Sequence, residues 1–156
     1  MAHQTIRDII TDCDDARRRR LAVFLVNDMP TAMALCLSDD NHSDGDFAPL
    51  DDWRIDFDAH DVEAATLPHP IEPDTEEQRL VIDYGRILLD AFDRAHLRQK
   101  ALRRIAQQCL DGDIADVGSL AKAIERHHVA LVHKVIAILV LLALAALFLI
   151  YRRLQS

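Results

Sequence analysis

The chain has 156 residues, half of them apolar, which is enough for one domain with a sizeable core. Its 18 Lys and Arg side chains are outnumbered by 26 Asp and Glu, which gives a net charge of −8. This charge excludes a general nucleic-acid binder, because such proteins need a cationic surface. The three cysteines, Cys13, Cys36 and Cys109, are too scattered for a disulfide scaffold or a zinc site.

The first segment, residues 1–38, is predicted to form N-terminal helices. Apolar residues at helical spacing predict one helix over about residues 5–26 and a shorter one over residues 30–37. Four consecutive arginines, residues 17–20, follow two aspartates, so acid-first pairs can form along the helix. These pairs favour a solvated helix face over a patch that binds lipid or phosphate.

The second segment, residues 39–74, is predicted to be an acidic, loop-rich insert. Residues 39–77 hold fourteen acidic side chains and a single cation, Arg54. Four of the five prolines lie in the insert, which favours extended and turn conformations. Apolar and charged residues alternate over residues 53–57, which predicts an edge strand.

Part of this insert resembles the calcium-binding loop of EF-hand proteins. Asp40, Asp44 and Asp51 match ligand positions 1, 5 and 12 of such a loop, and Gly45 matches its turn position. His42 replaces the oxygen ligand of position 3, and Asp51 is shorter than the usual glutamate. We therefore predict no calcium binding and no cofactor, and a calcium-responsive membrane sensor is an alternative function.

The third segment, residues 75–128, is predicted to hold one long amphipathic helix and a pre-membrane helix. Asp74–Glu77 has an N-cap pattern, and apolar residues then recur at spacings of three and four as far as Cys109. We predict that this stripe is too long for the domain to cover and that its exposed part binds a protein partner or a second copy. Arg98 interrupts it and is expected at the rim of that contact or beside an acid from residues 39–77. The predicted partner-binding residues are Leu80, Tyr84, Ile87, Arg98, Leu102 and Ile105.

A stretch of this helix resembles the death-motif helix of pro-apoptotic regulators: Ala101-Leu102-Arg103-Arg104-Ile105-Ala106-Gln107-Gln108. Leu102 and Ile105 match apolar anchors, and Ala106 matches the small residue that follows. Gln107 replaces the expected acid, and Arg98 occupies the first anchor position. The resemblance implies a helix that inserts its apolar face into a partner's groove, which gives an apoptosis regulator as a second alternative function.

The last segment, residues 129–153, is predicted to be a transmembrane anchor. Residues 135–151 carry no charge, and as a helix they extend about 25 Å, close to the ~30 Å hydrocarbon core of a bilayer. Twelve of these 17 residues are Leu, Ile, Val or Phe. They give an insertion free energy of roughly −4 to −7 kcal/mol. The predicted membrane-interface residues are His133, Lys134, Tyr151, Arg152 and Arg153.

The location of the domain follows from the lack of a complete signal peptide. The apolar run after the four arginines stops after six residues, at Asn27. We therefore expect a cytosolic N-terminal domain in the layout of a tail-anchored, single-pass membrane protein. His127, His128 and His133 precede the anchor and are interpreted as interfacial side chains, so a pH-responsive sensor is a further alternative.

Catalytic motifs provide no support for an enzyme. The sequence has no glycine-rich phosphate loop, no Gly-x-Ser-x-Gly elbow and no Cys-x-x-Cys pair. The sequence as a whole predicts a mostly α-helical, non-enzymatic membrane protein that serves as an adaptor, subunit or assembly factor of a membrane complex. Its predicted partners are the lipid bilayer and another protein or a second copy, without nucleic acid.

Overall fold

The computed structural model describes residues 4–38, 47–66 and 76–154, and these residues are mostly helical. They form six α-helices: α1 (Ile6–Asp12), α2 (Asp15–Asn27), α3 (Met29–Ser38), α4 (Glu76–Arg94), α5 (Lys100–Leu110) and α6 (Val117–Leu154). The described residues also form three short strands, β1 (Gln4–Thr5), β2 (Arg54–Asp56) and β3 (Asp61–Glu63), and a 3-10 turn, Leu50–Asp52. The predicted helical fold with one long apolar C-terminal helix is confirmed. The chain divides into two compact units, residues 1–124 and 125–156.

The N-terminal region forms two helices where the sequence predicted one. The chain is extended at Cys13 and Asp14, so α1 ends before α2 begins. The Asp14 carboxylate accepts a hydrogen bond from the backbone N–H of Arg17 at 2.8 Å and thereby caps α2. An aspartate that caps a helix in this way competes with continued helix, which explains the break. Because Asp14 is the cap, Arg18 pairs instead with Asp15, at 3.4 Å.

The three strands form one antiparallel sheet in the order β1-β2-β3. Ile55 of β2 pairs with Gln4 on one side and with Val62 on the other, so the predicted edge strand is in fact the central strand. Its second neighbour comes from the start of the chain, which local sequence patterns do not indicate. Trp53, just before β2, is fully buried, and its indole N–H donates to the Ala48 carbonyl at 3.0 Å.

The predicted acidic insert is described only between residues 47 and 66. This part carries the 3-10 turn and strands β2 and β3. Residues 39–46 and 67–75 lie outside the described residues, and with them most of the predicted loop and the N-cap residue Asp74.

The predicted long helix ending near Cys109 is also wrong, because α4 and α5 form a helical hairpin. His96 adopts a left-handed backbone conformation, with a φ of 55°. The N–H of Leu97 donates to the Phe92 carbonyl at 2.9 Å, and that of His96 donates to Asp93 at 3.2 Å. This pair of bonds is a Schellman motif, in which glycine is the usual left-handed residue. Histidine in that position left no sequence signal for the end of the helix.

Helices α4 and α5 approach each other closely at Gly85. A Cβ atom on Gly85 would lie 2.6 Å from the Ala106 carbonyl oxygen and 2.8 Å from the Cys109 Cβ. The hairpin also packs on α2, where the buried Tyr84 hydroxyl donates to the Leu25 carbonyl at 2.9 Å. Burial raises the pKa of Tyr84 far above its ordinary value and the pKa of the Cys109 thiol to about 12. Both groups are therefore neutral parts of the core.

The first two turns of α6 belong to the same core. Val117, Leu120 and Ile124 are buried, and the Glu77 carboxylate accepts a hydrogen bond from the Val117 N–H at 2.8 Å. Asp116 caps the helix through the N–H of Ser119 at 2.7 Å. Two carboxylates thus satisfy donors that the start of a helix otherwise leaves unpaired.

Candidate membrane anchor and docking groove

Helix α6 is long and apolar enough to cross a membrane. Its most apolar stretch of 18 residues has a mean hydropathy of 2.8, and none of that stretch is buried within the protein. The large apolar side chains from Val129 to Tyr151 are between 46% and 66% exposed. A core helix of a soluble protein would have at least one covered face, so this helix is a candidate membrane span.

The predicted membrane-interface residues lie at the two ends of the apolar stretch. His133 and Lys134 directly precede it, and Tyr151, Arg152 and Arg153 follow it in the last turns of α6. Lys134 and Tyr151 are 17 residues apart, which corresponds to about 25 Å along a helix. This spacing matches the hydrocarbon layer, and the assignment of these residues to the two headgroup layers stays a prediction.

Helices α2 and α3 taken together are also long and apolar enough to cross a membrane, although they are bent by 53° at their junction. Most of the large apolar side chains of these two helices are buried, although Val23 and Leu35 are exposed. Leu21, Leu25, Met29 and Met33 are fully buried in its core. Their hydrophobicity is accounted for by the fold, so α6 is the only span candidate that the described residues leave uncovered.

The predicted partner-binding stripe lies inside the domain. Leu80 and Tyr84 are 0% exposed, Ile87 is 1%, Leu102 is 5% and Ile105 is 8%. The expectation that part of the stripe is exposed is wrong, because the turn at His96 folds α5 back onto α4 and each helix covers the other. Their role in partner binding stays a prediction, and the structure gives all five a role in the core.

The remaining predicted partner-binding residue, Arg98, is exposed in the loop between α4 and α5. It forms no ion pair with an acid of the described residues, so the expected contact with the acidic insert is not observed.

The stretch that resembles a death-motif helix is α5. Its matching residues Leu102, Ile105 and Ala106 are buried, and Ala106 lies against Gly85 of α4. A groove-binding helix must present these residues to its partner. In this fold α5 would have to leave α4 to do so, and that would expose the core.

The candidate calcium loop is only partly described, since Asp40 and Asp44 lie outside the described residues. Asp51 is engaged elsewhere: its carboxylate lies 2.6 Å from the Arg86 guanidinium. Burial opposes the charge on Arg86, but hydrogen bonding and attraction to Asp51 and Asp83 raise its pKa. Within the described residues, no group of three or more His, Cys, Asp or Glu side chains could hold a metal ion.

A groove between α3 and β3 is a concave surface that the sequence did not predict. It has a volume of about 310 Å³ and combines apolar and acidic lining residues. Ala32, Leu35 and Val62 provide apolar surface, and Asp28 and Asp61 provide the charge. The groove depends on the position of β3 beside α3, and no local sequence pattern predicted that strand.

Helix α3 is unusual for a surface helix because it has no charged residue. Met29, Pro30 and Met33 are buried, whereas Leu35 is 65% exposed at the groove. Leu35 is the largest apolar side chain in the lining of the groove.

His60 forms one side of this groove in a strained conformation. Its φ of 52° lies in the left-handed region, where a non-glycine residue costs of order 1–3 kcal/mol. Its Nδ1 lies 3.3 Å from the carboxylate of Asp28, the residue that directly precedes α3. The turn before it is held by Asp56, which accepts hydrogen bonds from the N–H groups of Asp58 and Ala59.

Comparisons with known proteins provide no relative. No family model, no curated protein and no solved structure matches the chain.

Proposed function

We propose that this is a non-enzymatic, single-pass, tail-anchored membrane protein whose cytosolic helical domain binds a partner protein or itself. In this role it is an adaptor, a subunit or an assembly factor of a membrane complex. The observation that supports anchoring most strongly is the uninterrupted apolar surface of α6, which none of the described residues covers. Transfer of such a surface from water to lipid is strongly favourable.

The state of the cysteines supports a cytosolic domain. Cys13, Cys36 and Cys109 form no disulfide bond. Free thiols suit a reducing compartment, whereas small exported domains commonly rely on disulfides for stability.

The groove between α3 and β3 is the surface that we propose for partner binding. Leu35 offers an apolar contact, and Asp28 and Asp61 give the groove a negative charge with no Lys or Arg in its lining. A complementary partner is a protein segment that carries an apolar side chain next to Lys or Arg.

Anchoring is tested by washing membranes from cells that express the full chain with alkaline carbonate. We expect the protein to remain in the membrane pellet, because washing removes peripheral proteins and leaves inserted helices. Protease added outside intact cells should leave the domain uncut. Release by the wash would disprove anchoring, and digestion of the domain would disprove its cytosolic location.

Partner binding is tested by crosslinking the full chain in native membranes, comparing Leu35→Asp with the control Val23→Asp. Val23 is 58% exposed on α2 and does not line the groove, so both variants add the same charge to an exposed position. We expect Leu35→Asp to lose the crosslinked species and Val23→Asp to keep it, at unchanged melting temperatures. Crosslinks that survive in Leu35→Asp would reject the groove, and a wild-type protein that is monomeric and never crosslinked would reject the adaptor function itself.

A further inference from the structure

The turns of α6 before the apolar stretch present a positively charged surface. We call Arg126, His127, His133 and Lys134 the basic face. At about 100° per residue, these four side chains fall within an arc of roughly 120°, with the small Ala130 near its centre. The one acid of this part of α6, Glu125, falls on the opposite side of the helix.

No acid neutralises this face within the described residues. Arg126 and Lys134 are exposed and form none of the ion pairs found there. The pKa of His127 is lowered by partial burial, by His128 and by Lys134. Lys134 follows His127 by seven residues, or about two helical turns, so the two residues lie on the same side of α6. A lowered pKa leaves His127 neutral at pH 7, so the positive charges of this face are those of Arg126 and Lys134. Charges of one sign on one surface favour an anionic ligand.

The position of the basic face in α6 indicates which anion is available. Lys134 directly precedes the apolar residues, and Arg126 lies eight residues earlier in the same helix, about 12 Å along its axis. The polar layer of a bilayer leaflet is about 5–8 Å thick. When residues 135–151 fill the hydrocarbon layer, the side chains of the basic face therefore reach the depth of the lipid phosphates.

We infer that the basic face binds the phosphate group of anionic phospholipids. Arg126 supplies a planar guanidinium that can donate two parallel hydrogen bonds to phosphate, and Lys134 supplies a compact charge. His127 and His133 supply ring N–H donors, and Ala130 leaves space between them for a headgroup. This inference rests on the proposed anchoring by α6.

The test is a lipid titration of the full-length protein in neutral detergent micelles, read by native mass spectrometry. Phosphatidylglycerol and phosphatidylcholine are added separately, and the bound fraction of each is measured. A nearby Lys or Arg is worth about 1 kcal/mol of attraction to an anionic lipid, or about fivefold in affinity. We expect the double variant Arg126→Gln, Lys134→Gln to lose about 25-fold in phosphatidylglycerol affinity and little in phosphatidylcholine affinity.

The matched control is the double variant Arg98→Gln, Lys100→Gln. It removes the same charge from exposed residues at the loop between α4 and α5. We expect it to bind phosphatidylglycerol within about twofold of the wild type. An equal loss in both double variants would show that net charge alone attracts the lipid, and an unchanged affinity in the basic-face variant would overturn the inference directly.

Inorganic phosphate separates a lipid ligand from a soluble one. We expect millimolar phosphate to leave bound phosphatidylglycerol in place, because the lipid is also held by its chains. If phosphate displaced the lipid completely, a free phosphate compound would be the ligand and the headgroup assignment would be wrong. A protein that survives carbonate washing but has no lipid preference would refute only the basic face, whereas release by the wash would refute the proposed anchoring.

Discussion

The helical domain and the C-terminal part of α6 contain the same apolar residue types in opposite surroundings. In the domain, Leu80 and Leu88 are fully buried, whereas Leu141 and Leu147 of α6 are more than 60% exposed. The difference lies in the sequence between the apolar residues. Charged residues alternate with the apolar ones along α4, which gives this helix one buried face and one solvent-exposed face. Residues 135–150 of α6 contain no charge. The apolar face of an amphipathic helix can be buried by other residues of the same small domain. A helix that is apolar on every face requires lipid or a large protein core to bury it.

Helix α3 lies between these two extremes. It is uncharged like the span, yet one of its faces is buried through Met29 and Met33. Its other face leaves Leu35 in water beside a groove. In the proposed function, this partially covered surface of α3 binds a protein partner, whereas the uncovered α6 contacts lipid.

The contrast between the domain and α6 is tested most strongly by placing two charges in the apolar stretch of α6. In the double variant Leu141→Asp, Leu144→Asp, each substitution should cost about 3–4 kcal/mol of insertion free energy. The sum of about 6–8 kcal/mol is as large as the insertion free energy of the segment, roughly 4–7 kcal/mol, so we expect release of the full chain by carbonate washing. The melting temperature of the domain should not change, and a variant still held in the membrane would contradict the assignment of α6.

The same substitution in the domain should have the opposite pattern. Leu102→Asp buries a carboxylate without a partner against α4, which should cost several kcal/mol and remove cooperative thermal unfolding. The control Val23→Asp adds the charge at an exposed position and should change stability by less than about 0.5 kcal/mol. Full-length Leu102→Asp should stay in the membrane, and a well-folded variant would show that residue 102 is not in the core.

A smaller effect is expected where the hairpin is tightest. Gly85→Ala places a methyl group 2.6 Å from the Ala106 carbonyl oxygen, so α4 and α5 must separate, at a cost of about 1–3 kcal/mol. Chemical denaturation measures this loss. In the control Gly118→Ala the added methyl group lies 3.1 Å from one side-chain oxygen, that of Asp116, and meets no backbone of another helix, so the cost should be lower. Equal effects in the two variants would argue against close packing at Gly85.

The smallest effect concerns the cap of α6. Hydrogen bonds from Ser119 lower the pKa of Asp116 below its ordinary value of 3.8. A lowered pKa in the folded state means that the stabilisation is present above pH 3.8 and is lost as the pH falls through the folded value. We therefore expect Asp116→Ala to cost about 1 kcal/mol at pH 7 and progressively less in strong acid. A cost that is independent of pH down to complete protonation would contradict capping by the carboxylate.

The sequence predicted the helical class and the long apolar helix correctly because both depend on local patterns. Periodicity over residues 76–110 identified the buried side chains, such as Tyr84 and Ile105, but not what covers them. It missed the break at His96, because the Schellman motif there uses histidine in place of glycine. A single helix over residues 76–110 would have an apolar stripe too long for the rest of the domain to cover. As two helices, α4 and α5 bury this stripe against each other.

The groove between α3 and β3 could not be predicted from local sequence patterns, for a different reason. It requires β3 beside α3, and β3 is placed by pairing with β2, which in turn pairs with the start of the chain. Contacts between residues some fifty positions apart leave no periodic signal. The chemical character of Asp28 and Leu35 was visible in the sequence, but their convergence on one groove was not.

The buried hydroxyl of Tyr84 has a consequence for the order of folding. Helices α4 and α5 are joined by only five residues, 95–99, so their contacts close a short loop. The bond from Tyr84 to Leu25 joins positions 59 residues apart, and closing that larger loop costs more chain entropy. The hairpin should therefore form before α2 docks onto it, as local contacts generally precede distant ones. Refolding kinetics would show this as slower folding in Ala106→Gly but mainly faster unfolding in Tyr84→Phe, and the reverse assignment would place α2 in the folding nucleus.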